Sequence, residues 1–283
     1  MSAMSQLHIK PYWLEACGMM GWLLKDLGWV LLLWPVAWPA AATALASESA
    51  RLWATWKEDS AAVRVHAFAA LLWLLGNMIW MTVELLFDPE EAPGRSLPWF
   101  SGPLAGPNGG IYTAGVMVFV ALEFVALMSL GFFYAFSVRA LYLPPSAAEL
   151  ERKPQQSELV FGVITPEVYD WAFIGPWILK DVFWSQNIIG PALLAGLVVL
   201  ALVVDNFRRS KHPLIAAELF WVLSNIVWIW GELQLRDQAY WPRISAAVLL
   251  SGGVACTLFG VCCMPSSLQG KSTQAEREPL RSD

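Results

Sequence analysis

Charge is scarce in this chain. Asp, Glu, Lys and Arg make up 14% of 283 residues, against about 25% in a soluble globular domain. The net charge of −5 provides no basic patch, which argues against nucleic acid as a partner. Histidine is rarer still, with three in all. His8, His66 and His212 fall at or beyond the ends of hydrophobic stretches, so a haem or metal centre among buried histidines is not expected. The four cysteines, Cys17, Cys256, Cys262 and Cys263, have no metal-ligand spacing and argue against a disulfide scaffold. His-Glu-x-x-His, phosphate-loop and Gly-x-Ser-x-Gly patterns are missing. Gly106-Pro107-Asn108-Gly109-Gly110 lacks the Lys-Ser/Thr ending of a phosphate loop and reads as a turn. The first residues lack a basic stretch followed by an apolar core, so no cleaved signal peptide is expected. No enzyme chemistry, cofactor or metal is expected from these patterns.

Hydrophobic residues are abundant. They form 57% of the chain, the mean hydropathy is +0.50, and Trp occurs 17 times. This composition predicts an all-α, polytopic integral membrane protein whose first partner is the lipid bilayer, with Trp at the lipid interfaces. Six hydrophobic stretches have about the 20 residues that a span needs, at 21–45, 67–87, 111–134, 177–204, 214–233 and 244–263. The expected organisation is a first three-helix repeat at 1–142, preceded by an interfacial segment around Pro11-Tyr12-Trp13. A polar linker at 143–165, a second repeat at 166–264 and a disordered polar tail at 265–283 follow. Thr165-Pro166-Glu167 is a helix start, Gly175-Pro176 is an expected break, and Pro35, Pro39 and Pro191 are expected kinks or unwound points.

The repeats are visible in two blocks. Trp22-Leu23-Leu24-Lys25-Asp26-Leu27-Gly28-Trp29 recurs as Trp177-Ile178-Leu179-Lys180-Asp181-Val182-Phe183-Trp184. Trp73, Asn77, Trp80 and Glu84 recur as Trp221, Asn225, Trp228 and Glu232. The same order and spacing mark an internal duplication. Three spans per half, with no linker helix to restore direction, predict two inverted repeats. The sixteen Lys and Arg outside Lys25 and Lys180 divide evenly between the two sides of such a bundle. The compact Arg208-Arg209-Lys211 cluster tips the assignment toward cytoplasmic termini.

On a helix, Trp73, Asn77, Trp80 and Glu84 lie along one narrow stripe, as do Trp221, Asn225, Trp228 and Glu232, while Trp22, Lys25, Asp26 and Trp29 form a wider one. Ionisable groups in a membrane are costly and turn toward the bundle interior. Breaking each long segment in two would set Lys25 and Lys180 deeper, whereas treating 21–45 as one span sets Lys25 and Asp26 level with Glu84, and Lys180 and Asp181 level with Glu232. Two ion-pair gates, Lys25–Glu84 and Lys180–Glu232, follow. The amides of Asn77 and Asn225, flanked by Trp73, Trp80, Trp221 and Trp228, form the candidate substrate site near the midplane. The structural alternative is plain: buried Asn is a common packing glue, Lys snorkels to headgroups, and Trp anchors helix ends.

The halves also differ. Glu123, in the middle of the third stretch, has no counterpart in the sixth, and Glu218 stands where the first half has Ala70. Both are candidate proton-coupling groups. Three-helix repeats with Asn and Trp at mid-depth resemble, in their logic, the sugar facilitators built from Pro-Gln-loop repeats. Those have a linker helix and parallel repeats, and the only Pro-Gln here, Pro154-Gln155, lies in a polar stretch. The resemblance carries no residue roles. The reading that follows is a secondary transporter or facilitator of a small polar solute, with homo-oligomerisation left open. The alternative is a non-transporting membrane scaffold or assembly subunit whose polar pairs fix helix packing.

Overall fold

The computed structural model describes residues 11–58, 61–87, 109–141, 166–235 and 239–263. Among the described residues the chain is all helix. The elements are α1 (Pro11–Val30), α2 (Trp34–Glu58), α3 (Ala61–Phe87), α4 (Gly109–Leu141), α5 (Pro166–Ser185), α6 (Ile189–Ser210), α7 (Pro213–Leu235) and α8 (Trp241–Cys263). Five contain stretches long and apolar enough to cross a membrane: Arg64–Phe87, Gly110–Phe136, Ile189–Ser210, Pro213–Leu235 and Trp241–Cys263. An integral multi-pass membrane protein is the class these helices indicate. The linker at 143–165, the Thr165 cap and the tail at 265–283 lie outside the described residues.

The stretches 21–45 and 177–204 are not single spans. Each is a helical hairpin. α1 stops at Val30 and α2 begins at Trp34, with Leu32 left-handed at φ 56° between them. α5 stops at Ser185 and α6 begins at Ile189, with Asn187 at φ 58°. Pro35 and Pro191 lie in the first turn of the outgoing helix, where a missing N–H costs nothing. These prolines mark restarts rather than kinks. Hydrophobicity alone hides the reversal because Leu31-Leu32-Leu33 is as apolar as its flanks. The expected break at Gly175-Pro176 is absent: α5 runs through Pro176. Nor is there a separate interfacial helix before Trp22, since α1 is continuous from Pro11.

The α1–α2 hairpin closes on small residues. A Cβ added at Gly21 would lie 2.6 Å from the Ala44 nitrogen, and one at Gly28 would lie 2.5 Å from the Ala37 nitrogen. The two backbones therefore touch along about two turns, the close approach that small residues permit between membrane helices.

Four hairpins arrange themselves in a ring. α1, α3, α5 and α7 form an inner bundle, and each outer helix fills the seam to the next inner one. α2 packs on α1 and α3, α4 on α3 and α5, α6 on α5 and α7, and α8 on α7 and α1. The outer helices turn large apolar side chains outward, such as Met117, Phe124 and Phe136 on α4 and Val248 and Phe259 on α8. Outward apolar and inward polar is the arrangement that lipid demands.

This arrangement does not support the inverted repeat. Residues matched by the duplication sit at one level, with Trp73 beside Trp221 at 6.2 Å between ring centroids and Trp29 beside Trp184 at 6.4 Å. Trp22 and Trp29 are seven residues apart on one helix, about 10 Å along its axis. A two-fold axis that passes between both matched pairs must run along the helices. The halves therefore point the same way. Finding hairpins where single spans were expected changes the parity and removes the reason for inversion.

Candidate functional site

Every inner helix carries one motif, Trp-x3-Asp/Asn-x2-Trp. It reads Trp22, Asp26 and Trp29 on α1, then Trp73, Asn77 and Trp80 on α3. On α5 it reads Trp177, Asp181 and Trp184, and on α7 Trp221, Asn225 and Trp228. Offsets of four and seven residues keep all three side chains on one helix face. Four such faces meeting on an axis stack three layers: a Trp tetrad, a polar layer and a second Trp tetrad.

In the first tetrad, successive centroids lie 4.6 Å apart for Trp22–Trp73, 5.6 Å for Trp73–Trp177, 4.7 Å for Trp177–Trp221 and 5.3 Å for Trp221–Trp22. The second tetrad closes likewise. Trp29–Trp80, Trp80–Trp184, Trp184–Trp228 and Trp228–Trp29 lie at 4.9, 5.2, 4.8 and 5.3 Å, with neighbours at 85–88°. Edge-to-face contact of this kind contributes about 0.5–1.5 kcal/mol per pair beyond burial.

Between the tetrads, Asp and Asn alternate around the axis. The Trp221 indole N–H donates to Asp26 Oδ2 at 2.6 Å, and the Trp73 indole N–H donates to Asp181 Oδ2 at 2.7 Å. Asn77 Nδ2 donates to Asp181 Oδ2 at 3.3 Å and to the Trp73 carbonyl at 3.2 Å. Asn225 Nδ2 donates to the Trp221 carbonyl at 3.0 Å. Lys25 pairs with Asp26, and Lys180 pairs with Asp181 while also donating to Asn225 Oδ1 at 3.0 Å. Each ammonium also lies between two indoles. Lys25 Nζ is 5.3 and 5.0 Å from the Trp22 and Trp29 centroids, and Lys180 Nζ is 4.7 and 5.1 Å from Trp177 and Trp184. Two ammoniums and two carboxylates leave these pairs neutral, and the ring quadrupoles add about 0.5–2 kcal/mol per cation.

The cavity bounded by Asp26, Asp181, Asn77, Asn225 and the two tetrads measures about 10 Å³ for the centre of a water-sized sphere, room for about one water. Four of its indoles, Trp29, Trp177, Trp184 and Trp228, bury their N–H with no hydrogen-bond partner among the described residues. A buried donor without an acceptor costs about 1–3 kcal/mol.

The expected Lys–Glu gates are not formed. Lys25 and Lys180 belong to the Asp/Asn layer, because Lys25 lies in the second half of a helix that ends at Val30. Glu84 and Glu232 lie beyond the second tetrad and share one cation, Arg243, with nitrogen–oxygen distances of 4.0 and 3.6 Å. Arg243 is 1% exposed, donates to the Val30 carbonyl at 3.3 Å and stands 5.7 Å from the Trp228 ring. This places it among groups from both halves.

Asn77, Asn225, Trp73, Trp80, Trp221 and Trp228 do converge as the sequence suggests. Glu123 is fully buried beside them, with the charges of Asp181 and Lys180 acting on it. Glu218 is half-buried one turn before Trp221. Sequence reasoning turns Trp22 and Trp29 inward with Lys25 and Asp26 but does not bring them, or Trp177 and Trp184, to the Asn level, and it misses Arg243. The four-fold Trp-x3-Asp/Asn-x2-Trp pattern would have found the tryptophans. Arg243 stands at the edge of an apolar run and reads as a loop charge.

Outside the spans, His212 joins α6 to α7. Its Nδ1 accepts the Leu214 N–H at 3.3 Å, and burial lowers its pKa from the ordinary value of 6.5. No family model, curated protein or solved structure matches this chain.

Proposed function

We propose that this multi-pass membrane protein carries or facilitates passage of a small polar solute along the axis between its four hairpins. One observation carries the reading. Four buried indole N–H donors around the central cavity are unspent, and a solute bearing acceptor oxygens would satisfy them. Asn77 and Asn225 would orient that solute, while the Trp rings give it flat apolar contact. All eight helices would cross the bilayer, with α1 and α5 tolerated at low hydropathy because their charges face inward, and α2 because its charges, Glu48, Arg51, Lys57 and Glu58, gather in its second half. Both termini would then lie on one side. The two tetrads act as the barriers, since a site with room for about one water passes nothing larger until the rings turn. The Glu84–Arg243–Glu232 cluster would brace one end.

A scaffold is the second reading. One observation favours it: each Lys and Asp of the polar layer already has partners within the protein. Screening uptake into vesicles that contain the purified protein, against a solute library, separates the two. Asn77→Leu combined with Asn225→Leu should abolish uptake while the protein still purifies as a folded species. Uptake unchanged by the double substitution would overturn the site, and loss of folding alone would favour the scaffold.

A further inference from the structure

The position before each layer Asp or Asn forms a second ring: Lys25 on α1, Gly76 on α3, Lys180 on α5 and Ser224 on α7. At Gly76 there is no side chain, and the outer helix behind it fills the notch. The Glu123 carboxyl rests there, so close that a Cβ on Gly76 would lie 2.8 Å from its Oε1 and 3.1 Å from Phe119. Glu123 is 0% exposed, and neither carboxyl oxygen has a hydrogen-bond partner among the described residues. The matching outer helix of the second half, α8, carries no acidic residue.

Charge bookkeeping gives this carboxyl a role. Lys25 with Asp26, and Lys180 with Asp181, already cancel. An ionised Glu123 leaves one uncompensated negative charge in a dry interior, whereas a protonated one leaves the layer neutral. The charged groups acting on it, Asp181 and Lys180, both come from α5, and α3 faces it with the Gly76 backbone. We propose that Glu123 is a proton-binding site of the central layer, and that its occupancy is coupled to the Lys180–Asp181 pair. When the O–H bond breaks, the proton leaves toward solvent. The new carboxylate then competes with Asp181 for the Lys180 ammonium. Loading the proton restores the closed pairing. The inference deepens the transport reading by naming a proton as the coupling ion, but its test needs no solute.

Infrared difference spectra of the purified full chain, titrated over pH, read the carboxylic-acid carbonyl band directly. The wild type should show a buried acid band that Glu123→Gln removes and Glu218→Gln leaves in place. Asp181→Asn should shift the midpoint of that band, because it removes the competing anion. Should Glu123→Gln fail to fold, Glu123→Asp keeps the carboxyl in a shorter reach, and its band should move in frequency and midpoint. A Glu123→Gln or Glu123→Asp spectrum identical to wild type would overturn the proposal, as would a midpoint unmoved by Asp181→Asn. Both hold whether or not any solute is transported.

Discussion

The two halves are alike along their inner helices and unlike along their outer ones. α1 and α5 present the same Trp, Lys, Asp and Trp, and α3 and α7 present the same Trp, Asn, Trp and Glu. Behind them, α4 brings a buried Glu123 and α8 brings a buried Arg243. Duplication thus fixes the layered centre, and the outer helices break its symmetry. One half gains a carboxyl at the level of the polar layer. The other gains a guanidinium that serves the Glu84 and Glu232 of both halves.

The strongest way to probe the shared centre is to remove one partner of each buried pair. Asp26→Ala and Asp181→Ala should each cost about 3–5 kcal/mol, since each strands an ammonium in a dry interior. The Asp181 variant should fall at the lower end, although it also loses the Asn77 contact, because Glu123 beside Lys180 can ionise in place of the lost carboxylate. Denaturant unfolding in detergent measures both, and equal costs would deny the asymmetry. Arg243→Leu comes next. It strands two carboxylates at once, and about 3 kcal/mol of lost stability is expected. Adding Glu84→Gln and Glu232→Gln should restore most of the loss. No recovery would mean that Arg243 acts by packing alone.

The hairpin seam gives a smaller contrast. Gly21→Ala forces a Cβ to 2.6 Å from the Ala44 backbone, whereas a Cβ at Gly131 on α4 meets open space. The first should cost about 1–3 kcal/mol by overpacking. The second, Gly131→Ala, should stabilise by up to about 1 kcal/mol. Thermal unfolding of the two variants, compared side by side, checks the sign of each.

The smallest effect is on pH. The neutral His212 imidazole accepts a helix-start N–H, and burial lowers its pKa below 6.5. Below about 6.5 the unfolded chain binds a proton that the folded one resists. His212 therefore contributes fully above that pH, and its contribution shrinks as pH falls to the lowered folded value. In His212→Asn, whose side chain can still cap the helix, this part of the pH dependence of unfolding should vanish.

The duplication was readable because Trp, Asn, Trp and Glu recur at fixed spacing, and the inward turn of the polar stripe followed from the cost of charge in lipid. Topology was less legible. Leu31 to Leu33 carry no polar break, so the reversal shows only in Pro35 and in the left-handed Leu32. The one-span reading gives the wrong depth for Lys25 and the wrong partner for Glu84; the reading that breaks each segment in two gives the right depth. The pairing of Lys25 with its own neighbour Asp26 was hidden for another reason. Adjacent residues on a helix point about 100° apart, and only the packed indoles hold their long side chains together.

The claim that the two halves run in the same direction around a shared axis can be tested at the two hairpin turns. In a variant lacking the native cysteines, Trp34→Cys and Asn187→Cys place single thiols at exposed positions of the α1–α2 and α5–α6 turns. Labelling with a membrane-impermeant maleimide in sealed, uniformly oriented vesicles should reach both thiols from the same side. Labelling from opposite sides would show that the halves are inverted, and the layered centre described here would not exist.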